Sequence, residues 1–183
     1  MIEGILLNDF IRDKKVGAVV STSGNVTKKM MSKIDFNEAK ILVEYGPGTG
    51  IITKQLLAFM REDAVLFVFE TNEKFVDMLC KINDNRLIII NSDAEDAQVI
   101  LKNRYKLEKV DHIISSIPFT FINETKRKSI IYKTFSLLNE KGKFITYQYS
   151  LLIHNLIKKQ FSETSLKFAL INLPPVFIFE AIK

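Results

Sequence analysis

Cysteine occurs once, at Cys80, so no disulfide can form within the chain, and such usage suits a reducing compartment. Cys80 falls on an amphipathic helical pattern and is expected to act as a buried small hydrophobe. Histidine occurs twice. His112 lies in a strand-like run and His154 in a helix-like one, with no cysteine or acid at metal-ligand spacing, so both read as structural and no metal is expected. Arginine is scarce, five of 26 basic residues, and planar bidentate phosphate readers lean towards arginine. Long apolar runs are missing: none approaches the roughly 18 residues of a spanning helix. The chain also lacks the basic start of a secretory leader, since Glu3 precedes the first apolar run; a cytoplasmic location is expected. There is no internal repeat and no low-complexity tract.

What remains is globular: 183 residues, 47% hydrophobic and 26% charged, enough for one ordinary domain. A net charge of +5 favours anionic partners, either phosphate backbones or phospholipid surfaces. The pairs Lys14-Lys15, Lys28-Lys29 and Lys158-Lys159 read as solvated surface.

From residue 40 onward, short apolar runs alternate with amphipathic ones. Strands are expected over 40–45, 64–70, 86–90, 110–115 and 143–148. Helices are expected over 51–60, 72–82, 95–104, 124–139 and 151–161, with a turn at Lys141-Gly142 before the fifth strand. Continuous apolar strands separated by helices predict a parallel sheet covered on both faces, a doubly wound α/β layer. Two further strand-like runs, 165–172 and 176–182, have only Leu-Pro-Pro between them. No helical crossover fits there, so the last strand is expected to be antiparallel, the seventh of a mostly parallel sheet. Residues 1–36 read as an N-terminal helical extension and 37–183 as the core. In the extension, Ile2, Ile5, Leu6, Phe10 and Ile11 share one helical face ending in Arg12, Lys14 and Lys15. A second helix is expected over 26–34.

The strongest signal is Glu44-Tyr-Gly46-Pro47-Gly48-Thr49-Gly50, between the first strand and its helix. Three glycines in five residues exceed what a plain turn needs. They let a ligand approach the backbone, and exposed N–H groups at a helix start favour anionic or polar groups. Gly50 is followed by Ile51 rather than Lys-Ser/Thr, so this is not an NTP phosphate loop. Nor is it the dinucleotide fingerprint, whose third glycine comes one residue later. Glu70 ends the second strand, placed to accept both hydroxyls of a ribose. Asp93 and Ala94 follow the third, placing Asp93 to accept from an adenine amino group.

On these residues the chain resembles the class I S-adenosylmethionine-dependent methyltransferases, a Rossmann-like fold, over 40–183. The family's acidic-x-Gly-x-Gly-x-Gly loop matches Glu44, Gly46, Gly48 and Gly50. Its ribose and adenine acids match Glu70 and Asp93. After the fourth strand comes Ser115-Ser116-Ile117-Pro118-Phe119. There the chain is similar to ribosomal RNA adenine dimethyltransferases, which read Asn-Ile/Leu-Pro-Tyr/Phe and add a helical RNA-gripping C-terminal domain. Ser116 stands in place of their asparagine, and the present sequence ends after its last strand-like run.

A fuller resemblance is to the soluble, membrane-associating bacterial phosphatidylethanolamine N-methyltransferases. It rests on Val16, Gly17 and Ala18, on Ser21-Thr22-Ser23 where that family has Pro-Ser-Ser, on the glycine loop, and on Ser115 to Pro118. There Ser116 stands in place of that family's usual glycine. Tyr149 and Asn172-Leu-Pro-Pro175 complete the match. The resemblance implies cofactor contacts from Glu44, Gly46, Pro47, Gly48, Thr49, Gly50, Glu70, Asp93, Ala94 and Ser115. It implies catalytic roles for Ser115, Ser116, Phe119 and Tyr149. Ser115 and Ser116 would orient a deprotonated amine, with Tyr149 as proton acceptor and Phe119 and Tyr149 as a cation–π wall. Ordinary packing stays open for Phe119 and Tyr149.

The function so implied is methylation of the amino group of phosphatidylethanolamine or a related phospholipid by a monomer that is cytoplasmic and peripheral on the inner membrane face. Alternatives are rRNA adenine N6-methylation and a non-catalytic cofactor- or RNA-binding module. The first helix has two readings, insertion into the headgroup layer or packing over the cofactor site.

Overall fold

The computed structural model describes residues 24–169 and 176–183. The expected first helix with Arg12, Lys14 and Lys15, the stretches 16–18 and 21–23, and residues 172–175 lie outside the described residues. The seven strands are β1 (Ile41–Tyr45), β2 (Val65–Glu70), β3 (Leu87–Asn91), β4 (Val110–Ser115), β5 (Leu138–Gln148), β6 (Glu163–Ala169) and β7 (Val176–Ile182). They form one sheet in the order β3-β2-β1-β4-β5-β7-β6. β1 to β5 pair in parallel, whereas β7 runs antiparallel to both β5 and β6. The mostly parallel, doubly wound architecture and the antiparallel last strand agree with the sequence reading. The spatial insertion of β7 between β5 and β6 is additional.

Among the described residues six helices cover the sheet: α1 (Gly24–Met31), α2 (Ile51–Phe59), α3 (Glu73–Leu79), α4 (Ala97–Tyr105), α5 (Glu124–Leu137) and α6 (His154–Gln160). Successive strand residues face opposite layers, so neighbours in β1 join different cores. Val43 and Tyr45 pack with Leu101 of α4, Ile130 of α5 and Ile157 of α6. Leu42 packs with Met30 of α1, Leu56 of α2 and Leu79 of α3. Burial on both faces is why β2 reads Val-Leu-Phe-Val-Phe with no polar alternation.

Element ends moved for identifiable reasons. The helix expected over 72–82 stops at Leu79, whose fully buried side chain takes the core position. Cys80 follows as the cap residue and is exposed, contrary to the expectation of burial. The helix expected from 95 is preceded by a 3-10 turn, Ala94–Asp96, because the Asp93 carboxylate accepts from the Glu95 N–H at 2.9 Å. The fifth strand starts at Leu138, directly after α5. Its pairing with β4 then jumps from Val110↔Leu138 to His112↔Lys143, and the expected turn lies in that excursion, with Lys141 at φ 63.

His112 is buried in β4, and its Nδ1 has no partner among the described residues. Burial pushes its pKa down to about 4. Below its ordinary value the unfolded chain takes up a proton that the folded one refuses, so stability is lost as pH falls from about 6.5 towards 4. The loss expected from this group is about 2 kcal/mol by pH 5. Urea unfolding at pH 7 and pH 5 should show that difference in the unaltered protein and not in His112→Leu.

Candidate active site

The strand order reverses beside β1: β2 flanks one side and β4, reached only after β3, flanks the other. In open α/β sheets the crevice at the carboxyl ends of such strands is where ligands bind. A cleft of about 490 Å³ opens there. Its floor is the glycine loop, with Gly46, Pro47, Gly48 and Thr49 exposed to it. Gly46 and Gly48 hold φ values of 65° and 54°, a left-handed backbone that L side chains rarely adopt. A Cβ on Gly46 would also meet Ile117 Cγ1 at 3.0 Å, whereas one on Gly48 would meet nothing within 4 Å. The first glycine therefore permits close packing against the β4 loop, and the second leaves an open approach to the backbone.

Glu70 ends β2 at the rim of the cleft and is 7% exposed. Its Oε1 accepts from the N–H groups of Thr71 and Asn72, both at 2.9 Å, and its Oε2 from Gly48 N–H at 3.1 Å. The carboxylate thus ties the glycine loop to the start of α3. Two oxygens offer about four acceptor positions, so one position on Oε2 stays open to a ligand hydroxyl.

Asp93 lies across the cleft, where its second oxygen pairs with Lys126 Nζ from the first turn of α5. That hydrogen bond holds the Lys126 ammonium above its ordinary pKa, with the nearby charge of Asp93 adding to it. Glu44 sits behind the loop, fully buried. Thr53 Oγ1 donates to its Oε2 at 2.7 Å, while Oε1 has no partner among the described residues. Burial pushes this carboxyl up to about 8, with the charge of Glu70 acting in the same direction.

The loop after β4 forms the far wall through Ser116, Ile117 and Pro118. Of the residues expected at the site, the glycine loop, Glu70, Asp93, Ala94 and Ser116 meet in the cleft. Glu44, Gly50, Ser115, Phe119 and Tyr149 do not line it. Ser115 is buried, and its Oγ accepts from Ile117 N–H at 3.2 Å. Phe119 is fully enclosed among Ile130 and other core residues, so its ring offers no face to a cation in the cleft. Tyr149 stands edge-on to Tyr147 at 6.4 Å, and Tyr147 is the tyrosine that lines the cleft. Burial pushes the Tyr149 phenol up to about 12, so it is a phenol, not a phenolate, at neutral pH. Lys126, Tyr147, Phe75 and Ile122 line the cleft without having been anticipated. No spacing singles them out, although Asn123 as the N-cap of α5 marks the helix turn that delivers Lys126.

These features fit a nucleoside carrying a charged, polar tail. A carboxylate with a free acceptor position suits a ribose, and a glycine floor lets a ligand lie close against the backbone. No group of histidine, cysteine and acidic residues able to hold a metal occurs among the described residues. No described helix is long and apolar enough to cross a membrane.

Fold and cleft together define an S-adenosyl-L-methionine-dependent methyltransferase. Residues 12–153 match the family model of ribosomal RNA adenine dimethylases, and the chain belongs to that family. An ornithine lipid N-methyltransferase from Singulisphaera acidiphila is 24% identical over 164 residues, spanning 87% of this chain and 84% of that one. Ribosomal RNA small subunit methyltransferase A from Mycoplasma mycoides is 30% identical over 115 residues, 62% of this chain but only 40% of the relative's length. Similar solved structures include a precorrin-6y C5,15-methyltransferase from Geobacter metallireducens, with a TM-score of 0.69 at 14% identity, covering 87% of this chain and 88% of that one. The N-methyltransferase NodS from Bradyrhizobium japonicum gives 0.68 at 9% identity, covering 87% and 94%. At those identities they support the fold alone.

Proposed function

We propose that the protein methylates a lipid amine, the amino group of phosphatidylethanolamine or of a related amine-bearing lipid, at a membrane surface. The observation that carries this reading is the far wall of the cleft. Ser116 presents a short hydroxyl where base-methylating relatives present a planar amide, and the Phe119 ring is enclosed in the core. Such a wall suits a small flexible amine better than a flat base. The length match to a lipid N-methyltransferase and the net charge of +5 support the same reading.

In this reading Glu70 would hold the ribose, Asp93 the base amino group, and the glycine loop would lie under the rest of the cofactor, its own N–H groups at Gly46, Gly48 and Gly50 being engaged within the protein. The cofactor supplies an electrophilic sulfonium methyl. The chain must then deliver an amine with its lone pair free. An ammonium has none, so its proton must first leave, through the open mouth of the cleft or by way of a polar side chain. Ser116 Oγ and the loop carbonyls accept the remaining N–H hydrogens and aim the lone pair into the cleft. Accepting the methyl group leaves positive charge on the nitrogen. Tyr147 faces that charge from the cleft wall. Alignment supplies most of the acceleration.

A second reading, adenine N6-methylation in ribosomal RNA, draws on the family match and on the Ser-Ile-Pro-Phe loop. Incubation with methyl-labelled cofactor separates the two, with phosphatidylethanolamine vesicles, ornithine lipid vesicles and unmodified small-subunit rRNA offered in parallel. Label in lipid is expected. Label in RNA alone establishes the second reading, and label in neither, with S-adenosylhomocysteine still bound, leaves a non-catalytic binding module.

A further inference from the structure

We propose that Gln148 is the positioning residue of the acceptor loop, and that methyl transfer depends on its side-chain amide. The proposal rests on the reading of residues 115–119 as the loop that receives the amine. Gln148 ends β5 next to the cleft-lining Tyr147 and is 3% exposed. Its Oε1 accepts from Phe119 N–H at 3.1 Å. Its Nε2 donates to the Ile117 carbonyl at 2.9 Å and to Thr146 Oγ1 at 3.1 Å.

These partners leave one orientation for the amide. Reversed, its NH₂ would face a backbone N–H and its oxygen would face the Ile117 carbonyl. The reason an amide is needed lies between the two contacts. Pro118 has no N–H, so a backbone ladder is interrupted there, and the loop needs an external donor on one side of the proline and an acceptor on the other. A single planar amide supplies both at fixed spacing. The loop's other anchors hold single points: Ser116 N–H donates to the Tyr45 carbonyl at 2.9 Å, and Arg127 Nε donates to the Phe119 carbonyl at 3.1 Å. Among the described residues only Gln148 spans the proline.

The consequence is geometric. Ser116, Ile117 and Pro118 form the wall that faces the glycine loop across the cleft, and Gly46 leaves only the room that Ile117 fills. A loop free to move would change the distance between the amine and the methyl group, and a misplacement of about 1 Å can cost about 100-fold in rate.

The test compares Gln148→Met, Gln148→Glu and Thr146→Val. Gln148→Met keeps the volume and removes all three hydrogen bonds. Its kcat is expected to fall about 100-fold, while the affinity for S-adenosylhomocysteine, by calorimetry, stays within about threefold. Gln148→Glu still accepts from Phe119 N–H, but when ionised it faces the Ile117 carbonyl with no donor. Protonation restores one, so its activity relative to the unaltered protein rises as pH is lowered, a pH response that a loss of packing would not produce. Thr146→Val, which removes the third partner of the amide together with a long 3.5 Å hydrogen bond to the Tyr147 carbonyl, is expected to lose severalfold. The ¹³C δ1-methyl resonance of Ile117 reports loop position without any acceptor and should shift in Gln148→Met. If the unaltered protein labels neither lipid nor RNA, the acceptor reading has failed, and the Ile117 resonance alone decides the positioning claim. Unchanged kcat in Gln148→Met, an unmoved Ile117 resonance, or a parallel loss of kcat, cofactor affinity and melting temperature would overturn it.

Discussion

Glu44→Gln should remove the largest pH dependence of stability that any described residue contributes below pH 9. The folded chain keeps the Glu44 carboxyl protonated up to about 8, because the side chain is fully buried with one oxygen unpartnered. The unfolded chain releases that proton near 4.5. Between those values the unfolded state binds fewer protons, so stability is greatest below about 4.5 and falls as pH rises through 8. The interval corresponds to a loss on the order of 5 kcal/mol, comparable to the whole stability of a marginal domain. Denaturant unfolding measured from pH 5 to pH 9 should show the decline in the unaltered protein and its absence in Glu44→Gln. Parallel curves for the two proteins would mean that Glu44 is ionised in its site, and that burial does not dominate it.

Glu70→Ala should abolish useful cofactor binding. The carboxylate accepts from three backbone N–H groups, and one of them, Gly48, belongs to the loop that floors the cleft. Removing it deletes the proposed ribose acceptor and frees the loop in one step. Hydrogen bonds to a charged group contribute about 1.5–3 kcal/mol each, so an affinity loss of about 100-fold or more is expected. Titration calorimetry with S-adenosylhomocysteine measures it, and a thermal melt on the same sample shows whether the fold survives. Glu70→Asp keeps the charge but draws it back by one methylene, and should fall between the two. An unaltered affinity in Glu70→Ala would remove Glu70 from the binding site.

Glu44 and Glu70 differ in an instructive way. Glu70 is the last residue of β2 and Glu44 the last but one of β1, so both are equally visible as acids near strand ends beside the glycine loop. Their surroundings differ: among the described residues Thr53 donates to Glu44, which is fully buried, whereas Glu70 accepts from three backbone N–H groups and has an edge on the cleft. Sequence spacing identifies the positions, and burial behind the loop is what keeps the Glu44 carboxyl protonated.

The sequence by itself determined the sheet, its parallel core, the antiparallel last strand and the floor of the cleft. These are local signals: an apolar run buried on both faces, a prolyl link too short for a crossover, glycines where the backbone must turn left-handed. Only the tertiary structure decided which side chains reach the cleft. Tyr147 lines it while Tyr149, past the end of β5, does not, and Phe119 turns into the core instead of facing the ligand. Lys126 meets Asp93 across 33 residues, and Gln148 meets Ile117 across 31. Such contacts depend on how the twisted sheet and its helices pack, and a spacing along the chain carries no record of that packing.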